Sequence, residues 1–357
     1  MSTLFFDTTK SRKQGHFSGL NRVSARLLDA FSEFEFLELK AVHWSSLKRS
    51  YVDSASGKAI GTGKASDLFL TPEVFALRER PFSRGWLQRF KGRTACLFFD
   101  AIPFFHPEIT WPHSVRRFPR WFTDLGNYDH IFFISSHARE EALKVHELTG
   151  LPRVEGTVLP MGCDYMNQQP VNNPGEVPVL LNIGILEPRK GQDCLLSVCD
   201  RLWLEGFVFK LVFLGRVNPH YGRPLQERIN LLRESGRDIE HVEQADDACL
   251  AEWHQRASLA IQPSRAEGFG LPVLESLWAG CPVLASDQPG LDSVPGLKGV
   301  QVLDEVSEEA IEAALKKLLE QPELLAALRK SIESKELPTW TDSALFVLQE
   351  LGLSVNS

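Results

Sequence analysis

Short apolar runs rich in Val, Ile, Leu and Phe alternate with longer amphipathic segments along this chain, and the alternation stops once and then restarts. Near-continuous apolar strands are buried on both faces, so they belong in a parallel sheet whose helices cover both sides. The spacing predicts strands at 3–7 (TLFFD), 34–40 (FEFLELK), 95–100 (ACLFFD), 130–135 (HIFFIS) and 155–160 (EGTVLP), with helices near 19–32, 114–126 and 137–149. After Met161 the stretch GCDYMNQQPVNNPGEVP is poor in apolar residues and reads as a linker. Strands resume at 178–185, 209–214, 239–243, 258–262, 282–286 and 300–303, and helical segments near 306–320, 322–334 and 340–351 close the chain. A chain of 357 residues exceeds what one core usually serves. The expected fold class is α/β, with two Rossmann-like, doubly wound domains at 1–165 and 166–338 facing each other across a cleft, and a last helix in 339–357. Ligands of such sheets sit at strand carboxyl ends beside helix N-termini.

Two loops of the second domain carry the chemistry. In PSRAEGFGLPVLESLWAGCPVLAS, 263–286, the strand SLAIQ is followed by Glu267-Gly268-Phe269-Gly270, and a helix opens at Leu271-Pro272, where proline suits a first turn. Glycines there allow a ligand close to the backbone, and the free amides of a helix start hold anions or sugar oxygens. Glu275, about one turn into that helix, could accept two ribose hydroxyls. The plainer alternative is a glycine loop with an acid favoured by the helix dipole. In LLNIGILEPRKGQDCLLSV, 180–198, a strand runs into Gly184, and Arg189 and Lys190 stand at the next helix start. Together they could neutralise a diphosphate, Arg as a fork and Lys as a point charge, or they could be solvated residues of a βα loop. The stretch GKAIGTGKAS, 57–66, mimics a phosphate loop, but Lys58 stands where its first glycine is needed and Ala65 follows Lys64.

EGFGLPVLESLWAGCPVLAS with its Glu267-x7-Glu275 spacing, GILEPRKG, SGLNRVSARLL, FFDAIPFFHPE and FISSHAREE together resemble the retaining nucleotide-sugar glycosyltransferases of family 4, which have the GT-B fold. The resemblance covers nearly the whole chain. It implies that Glu267 contacts the transferred hexose, that Gly268, Phe269, Gly270 and Leu271 present donor-side backbone, and that Glu275 binds the ribose. It makes Arg189 and Lys190 partners of the departing diphosphate, which Gly184 and, from the first domain, Gly19 beside Ser18 let approach. Arg216 after KLVFLG is a weaker candidate near base or phosphates, and the last helix is expected to cross back onto the first domain. Two departures stand out: Ile185 occupies the place of an arginine found in many members, and Phe99-Asp100 replaces a His-Asp. Asp100 and His106 are therefore the acceptor-side candidates, with a structural role for that loop histidine as the alternative.

No D-x-D occurs, so the reading is a metal-independent enzyme whose cations replace a clamped Mg²⁺ or Mn²⁺, with no cofactor beyond the nucleoside-diphosphate sugar as co-substrate. GDP-mannose and UDP-glucose both stay open as donors, UDP-glucose being the first choice, and the acceptor is a saccharide or lipid-linked glycan of polysaccharide or glycoconjugate synthesis. The rivals are a nucleotide-sugar hydrolase or isomerase and a non-catalytic GT-B binding or scaffold protein.

The net charge of -7 argues against a nucleic-acid partner. It conceals an imbalance: residues 1–165 hold 22 Lys+Arg and 18 Asp+Glu, a net of +4, which leaves -11 for the remainder. RERPFSRGWLQRFKGR, 78–93, sets six cations against Glu79. If helical, it would align Phe82, Trp86 and Phe90 on one face as an anionic-membrane contact, and RRFPRWF, 116–122, repeats the character. The alternative is a core-packed helix with a solvated basic side. Six scattered cysteines without a C-x-x-C pair, no run of about 18 apolar residues and no leader-like start point to a cytoplasmic protein, with peripheral contact at the inner face of the cell membrane through those two segments.

Overall fold

The computed structural model describes residues 2–13, 19–166, 169 and 171–353. The chain divides into two compact units, residues 1–162 with 338–357, and residues 163–337. The first contains β1 (Thr3–Asp7), α1 (Gly19–Ser32), β2 (Glu38–Ser45), β3 (Ser50–Asp53), β4 (Leu68–Thr71), α2 (Ser83–Leu87), β5 (Arg93–Phe98), α3 (Ile102–Phe105), α4 (Pro112–Asp124), β6 (His130–Phe133), α5 (Ser136–Thr149) and β7 (Gly156–Val158). Its sheet runs β3-β2-β1-β4-β5-β6-β7, parallel throughout except for the β2–β3 hairpin. Every residue of β1 and β4 is buried, as central strands covered on both faces must be. The helix starts follow local chemistry: the Ser135 hydroxyl accepts the Ala138 amide at 3.0 Å, and Gly150, at φ 68°, ends the same helix.

Four local expectations change. β3 and β4 are additional strands: three apolar residues and a threonine, as in Leu68–Thr71, carry no period, so only their pairing between β1 and β5 marks them as a strand. β2 starts at Glu38, because Phe34 and Phe36 stack on each other (centroids 5.3 Å apart) ahead of it. Residues 78–93 form no continuous helix. Arg80 turns inward to Asp7 and Glu73, so only a 3₁₀ turn (Leu77–Glu79) and the five-residue α2 remain. Trp86 and Phe90 consequently pack into the core with Phe69, whereas Phe82 is exposed at φ 73° with the Arg49 guanidinium 4.3 Å from its ring centroid. In α4, Phe118, Trp121 and Phe122 are buried as well. The proposed aromatic row has no common outward face, because the core takes Trp86 and Phe90 and leaves Phe82 outside with every cation of the stretch except Arg80.

The second unit contains β8 (Val179–Ile183), α6 (Gln192–Leu204), β9 (Lys210–Leu214), α7 (Arg223–Glu234), β10 (Ile239–Val242), α8 (Asp247–Arg256), β11 (Leu259–Gln262), α9 (Leu271–Trp278), β12 (Val283–Ser286), β13 (Val300–Leu303), α10 (Glu308–Glu320) and α11 (Pro322–Ser331). Its sheet, β10-β9-β8-β11-β12-β13, is wholly parallel, and the strand order reverses between β8 and β11. Leu180, Leu196, Phe213, Ile261 and Leu315 belong to its core.

The fourth change concerns the stretch read as a linker, whose residues 167, 168 and 170 lie outside the described set. What is described docks on this unit. Asn172 donates to the carbonyls of His254 and Ala257 at 2.6 and 2.9 Å, Gln169 to that of Trp278 at 2.6 Å, and the Tyr165 hydroxyl lies 2.6 Å from His254 Nδ1. The same Asn and Gln amides that look loop-like in sequence satisfy carbonyls left over where α8 and α9 end. The last helix, α12 (Trp340–Glu350), belongs to the first unit and packs on α1. Its Ser343 hydroxyl donates to the Pro160 carbonyl at 2.6 Å and accepts the Gly162 amide at 2.9 Å. Among the described residues no helix is long and apolar enough to cross a membrane.

Candidate functional site

The order reversal of the second sheet brings two loops together: the one leaving β8 and the one leaving β11. Both turn on glycine. Gly184 follows β8 with φ 151°, and a Cβ there would lie 3.2 Å from Lys190 Cε, so the glycine makes room for that lysine. Gly191 ends the Pro188–Lys190 turn at φ 66°, and its would-be Cβ falls 1.9 Å from the Pro263 carbonyl oxygen of the other loop. Gly270 precedes α9 at φ 101°, against the Gln288 side chain. A backbone bond from Arg265 N to the Arg189 carbonyl, 2.7 Å, ties the two loops.

Across this junction Glu267 meets both cations. One carboxylate oxygen takes Lys190 Nζ and the Ser264 hydroxyl (2.7 Å), and the other takes the Arg189 guanidinium at 2.9 Å. Arg189 is also held by Glu187 at 2.5 Å, and the Asn218 amide donates to the second Glu187 oxygen at 2.9 Å. The Glu187 amide donates to Gln192 Oε1 at 3.0 Å, Gln192 donates to Asn182 Oδ1 at 3.0 Å, and Asn182 donates to the Ile261 carbonyl at 2.7 Å. The chain of bonds thus runs from the buried strands to the ion cluster and leaves it little freedom. Glu267, Lys190 and Glu187 are 10 % exposed or less at the side chain and Arg189 22 %. Burial would raise the Glu267 pKa, but Lys190 and Arg189, with hydrogen bonds from Lys190 and Ser264, outweigh it and hold the carboxyl down at about 2. Burial is the largest influence on Lys190 and lowers it, with Arg189 adding to the effect against Glu267.

A pH prediction follows with a definite sign. The Glu267 carboxyl lies below its ordinary value of 4.5 in the folded state, so its contribution is fully present above pH 4.5 and is lost as pH falls through about 2. Urea unfolding between pH 6 and pH 3 should show stability falling as pH falls in the native protein, and a visibly shallower acid slope in Glu267→Gln. Equal slopes would show that the pairing contributes nothing.

The remaining sequence candidates separate. Glu275 is buried on α9 and Phe269 is buried with its carbonyl accepting the Gly290 amide at 2.6 Å; Gly268 and Gly270 are buried and Leu271 half-buried beside them. Arg216 follows β9, half-buried, and its carbonyl accepts the Leu186 amide at 2.9 Å next to the β8 loop. Gly19, Asp100 and His106 belong to the first unit. Gly19 opens α1, a Cβ there would meet nothing within 4 Å, and Ser18 before it lies outside the described residues. Asp100 Oδ1 accepts the Ile102 amide at 3.1 Å at the start of α3, and His106 Nδ1 stands 3.8 Å from Glu108. Sequence reasoning missed Glu187, Asn218, Ser264 and Gln192. Glu187 sits inside GILEPRKG and was visible there, whereas the other three acquire meaning only by contact. Among the described residues no group of three His, Cys, Asp or Glu is placed to hold a metal ion.

Comparison with known proteins fits this geometry. Residues 166–335 match the family described as glycosyl transferases group 1. The chain is 25 % identical over 283 residues to the serotype-specific mannosyltransferase WbdA of Escherichia coli, 74 % of this chain and 34 % of that protein, so it spans about a third of that relative. It is 28 % identical over 236 residues to the O-antigen chain mannosyltransferase B of Escherichia coli, 62 % of this chain and 60 % of the relative. Sucrose-phosphate synthase from Thermosynechococcus elongatus superposes with a TM-score of 0.72 over 98 % of both chains at 16 % identity, a likeness of fold. The fold is GT-B. Over residues 166–335, which hold the Glu267–Lys190–Arg189 cluster, the chain therefore matches the glycosyl transferases group 1 family.

Proposed function

We propose that the protein is a retaining, metal-independent hexosyltransferase that takes a hexose from a nucleoside-diphosphate sugar and passes it to a saccharide or lipid-linked glycan. The observation that carries this reading is the pairing of Glu267 with both Lys190 and Arg189 at the point where strand order reverses. There the cations are largely desolvated and pre-positioned, and α9 starts beside them with no side chain capping its first turn. A departing diphosphate gains negative charge as the glycosidic bond breaks, so fixed cations stabilise the transition state more than the ground state. With the donor bound, Lys190 and Arg189 turn part of their hydrogen bonding from Glu267 to phosphate oxygens, which frees a Glu267 oxygen for a hexose hydroxyl. Glu275 takes the ribose, and Glu187 with Asn218 keeps Arg189 in place. Departure and attack on one sugar face, with a phosphate oxygen taking the acceptor proton, require no protein nucleophile. Arg189 covers the charge that Ile185 cannot. The mannosyltransferase names of the two sequence relatives favour mannose over the glucose first chosen from sequence.

The test is thermal stabilisation by UDP, GDP, ADP and TDP, each with and without EDTA, followed by donor turnover with and without an acceptor mixture. One nucleotide should stabilise the protein by several degrees regardless of EDTA, and donor consumption should require acceptor. Stabilisation abolished by EDTA would overturn metal independence. Equal turnover without acceptor would make the protein a hydrolase, and no stabilisation by any nucleotide would favour a scaffold.

A further inference from the structure

The first unit has its own reversal of strand order, between β1 and β4, and the loops leaving those strands hold charges that the donor site does not use. Asp7 ends β1, Glu73 stands two residues beyond β4, and both are buried against one guanidinium, that of Arg80. Thr71 donates to Asp7 at 2.8 Å, and the amides of Lys10 and Ser11 donate to Glu73 at 2.5 and 2.9 Å. Arg80 also lies over the Phe75 ring, 3.4 Å from its centroid. This cluster is saturated and acts as scaffolding: it fixes the loop after β1 to the loop after β4.

Beside it stand cations that are not saturated. The Arg117 side chain, on α4, is only 17 % exposed, yet its one ion-pair partner among the described residues, Glu79, is 3.9 Å away, beyond hydrogen-bond reach. Lys10 donates to the Val74 carbonyl at 2.6 Å and reaches the same Glu79 at 3.6 Å. His113, one turn before Arg117, also acts electrostatically on Glu79, which in turn accepts the Ala76 amide at 3.0 Å. Glu79 therefore serves two permanent cations and a histidine, and Lys10 is also acted on by Glu73, whose own carboxylate is taken by Arg80. Burial, with Arg117 nearby, lowers the Lys10 pKa against the pull of Glu79 and Glu73, and burial lowers that of Arg117 against Glu79. A guanidinium has five N–H donors, and Glu79 at 3.9 Å takes none of those of Arg117 in a hydrogen bond.

We propose that Lys10, Arg117 and His113 form an anion subsite that takes a phosphoryl or carboxylate group of the acceptor. It lies at the reversal point of the first sheet, where loops from strand carboxyl ends converge. The excess of cations over Glu79 matches an anion, Arg117 offering a fork and Lys10 a point charge. The inference rests on the transferase reading only in naming the ligand an acceptor; anion binding by these three residues stands independently of it.

The experiment is the ³¹P line width of inorganic phosphate titrated with the full chain, measured in a Lys190→Ala background to remove the donor-site cation. Saturable broadening should persist in Lys190→Ala and weaken about tenfold when Arg117→Gln or Lys10→Gln is added. Should Arg117→Gln fail to fold, Lys10→Gln and the exposed His113→Gln carry the same readout. Broadening lost with Lys190→Ala alone, or unchanged by the added variants, overturns the subsite. Competition by glucose 1-phosphate or by glucuronate distinguishes the phosphoryl from the carboxylate form, and competition by neither overturns the assignment to a sugar acceptor. Failure of the transferase reading would appear instead in the nucleotide panel, which reads the second unit.

Discussion

Replacing Lys190 by alanine is expected to cut kcat/KM for transfer by two to three orders of magnitude, roughly what one aimed electrostatic group contributes to a transition state. It should also lower the stability of the second unit by about 3 kcal/mol, because Glu267 would stay buried with one of its two cations gone. Lys190 and Glu267 are both under 10 % exposed at the side chain, so solvent cannot replace the missing partner. The two effects can be separated. Lys190→Met with Glu267→Gln removes both charges, and should recover much of the lost stability while leaving transfer absent. Urea unfolding and initial-rate kinetics on the single and double variants check this. Transfer that returns with stability would mean that the pair is structural and that the reaction runs elsewhere.

Gly191→Ala should be more damaging to folding than any surface change in the second unit, costing about 3 kcal/mol or more. Two penalties add. The residue sits at φ 66°, where a Cβ costs about 1 kcal/mol. That Cβ would also lie 1.9 Å from the Pro263 carbonyl oxygen, backbone that can move only by separating the loops that bring Lys190 to Glu267. Gly206→Ala is the matched control: its φ is 96°, but nothing lies within 4 Å of the added carbon. Chemical denaturation should show Gly206→Ala losing about 1 kcal/mol, and Gly191→Ala losing several-fold more together with nucleotide binding. Similar losses would mean that the loops yield easily and that their contact does not set the site.

Much of the second unit was legible before its structure. The runs at 178–185, 209–214, 258–262 and 282–286 are apolar enough to be buried strands wherever they pair, and Gly184, Gly191 and Gly270 with Pro272 mark where each chain must turn into a helix. The first unit was less so. β4 is too short to show a period, and Arg80, drawn into the core by Asp7 and Glu73, breaks a segment whose spacing of aromatics looked helical. The aromatic residues obeyed burial and the arginine obeyed its counter-charges, and neither is a local property. The stretch after Met161 failed differently: its amides look like those of a free loop until the helix ends that they satisfy are known.

By itself, the sequence determined most of the strands of a covered parallel sheet, that the pattern occurs twice, that Arg189, Lys190 and Glu267 lie at strand-to-helix turns, and that Glu275 lies about one turn into the helix that follows. Those features depend on residue type and short-range spacing, which the chain states directly. Only the tertiary structure decided that Glu267 closes on Lys190 across 77 residues, that Glu187 and Asn218 hold Arg189, and that Lys10 meets Arg117 over Glu79. These contacts follow from strand order, because placing β11 beside β8 and β4 beside β1 is what brings loops from distant parts of the chain within reach of one another.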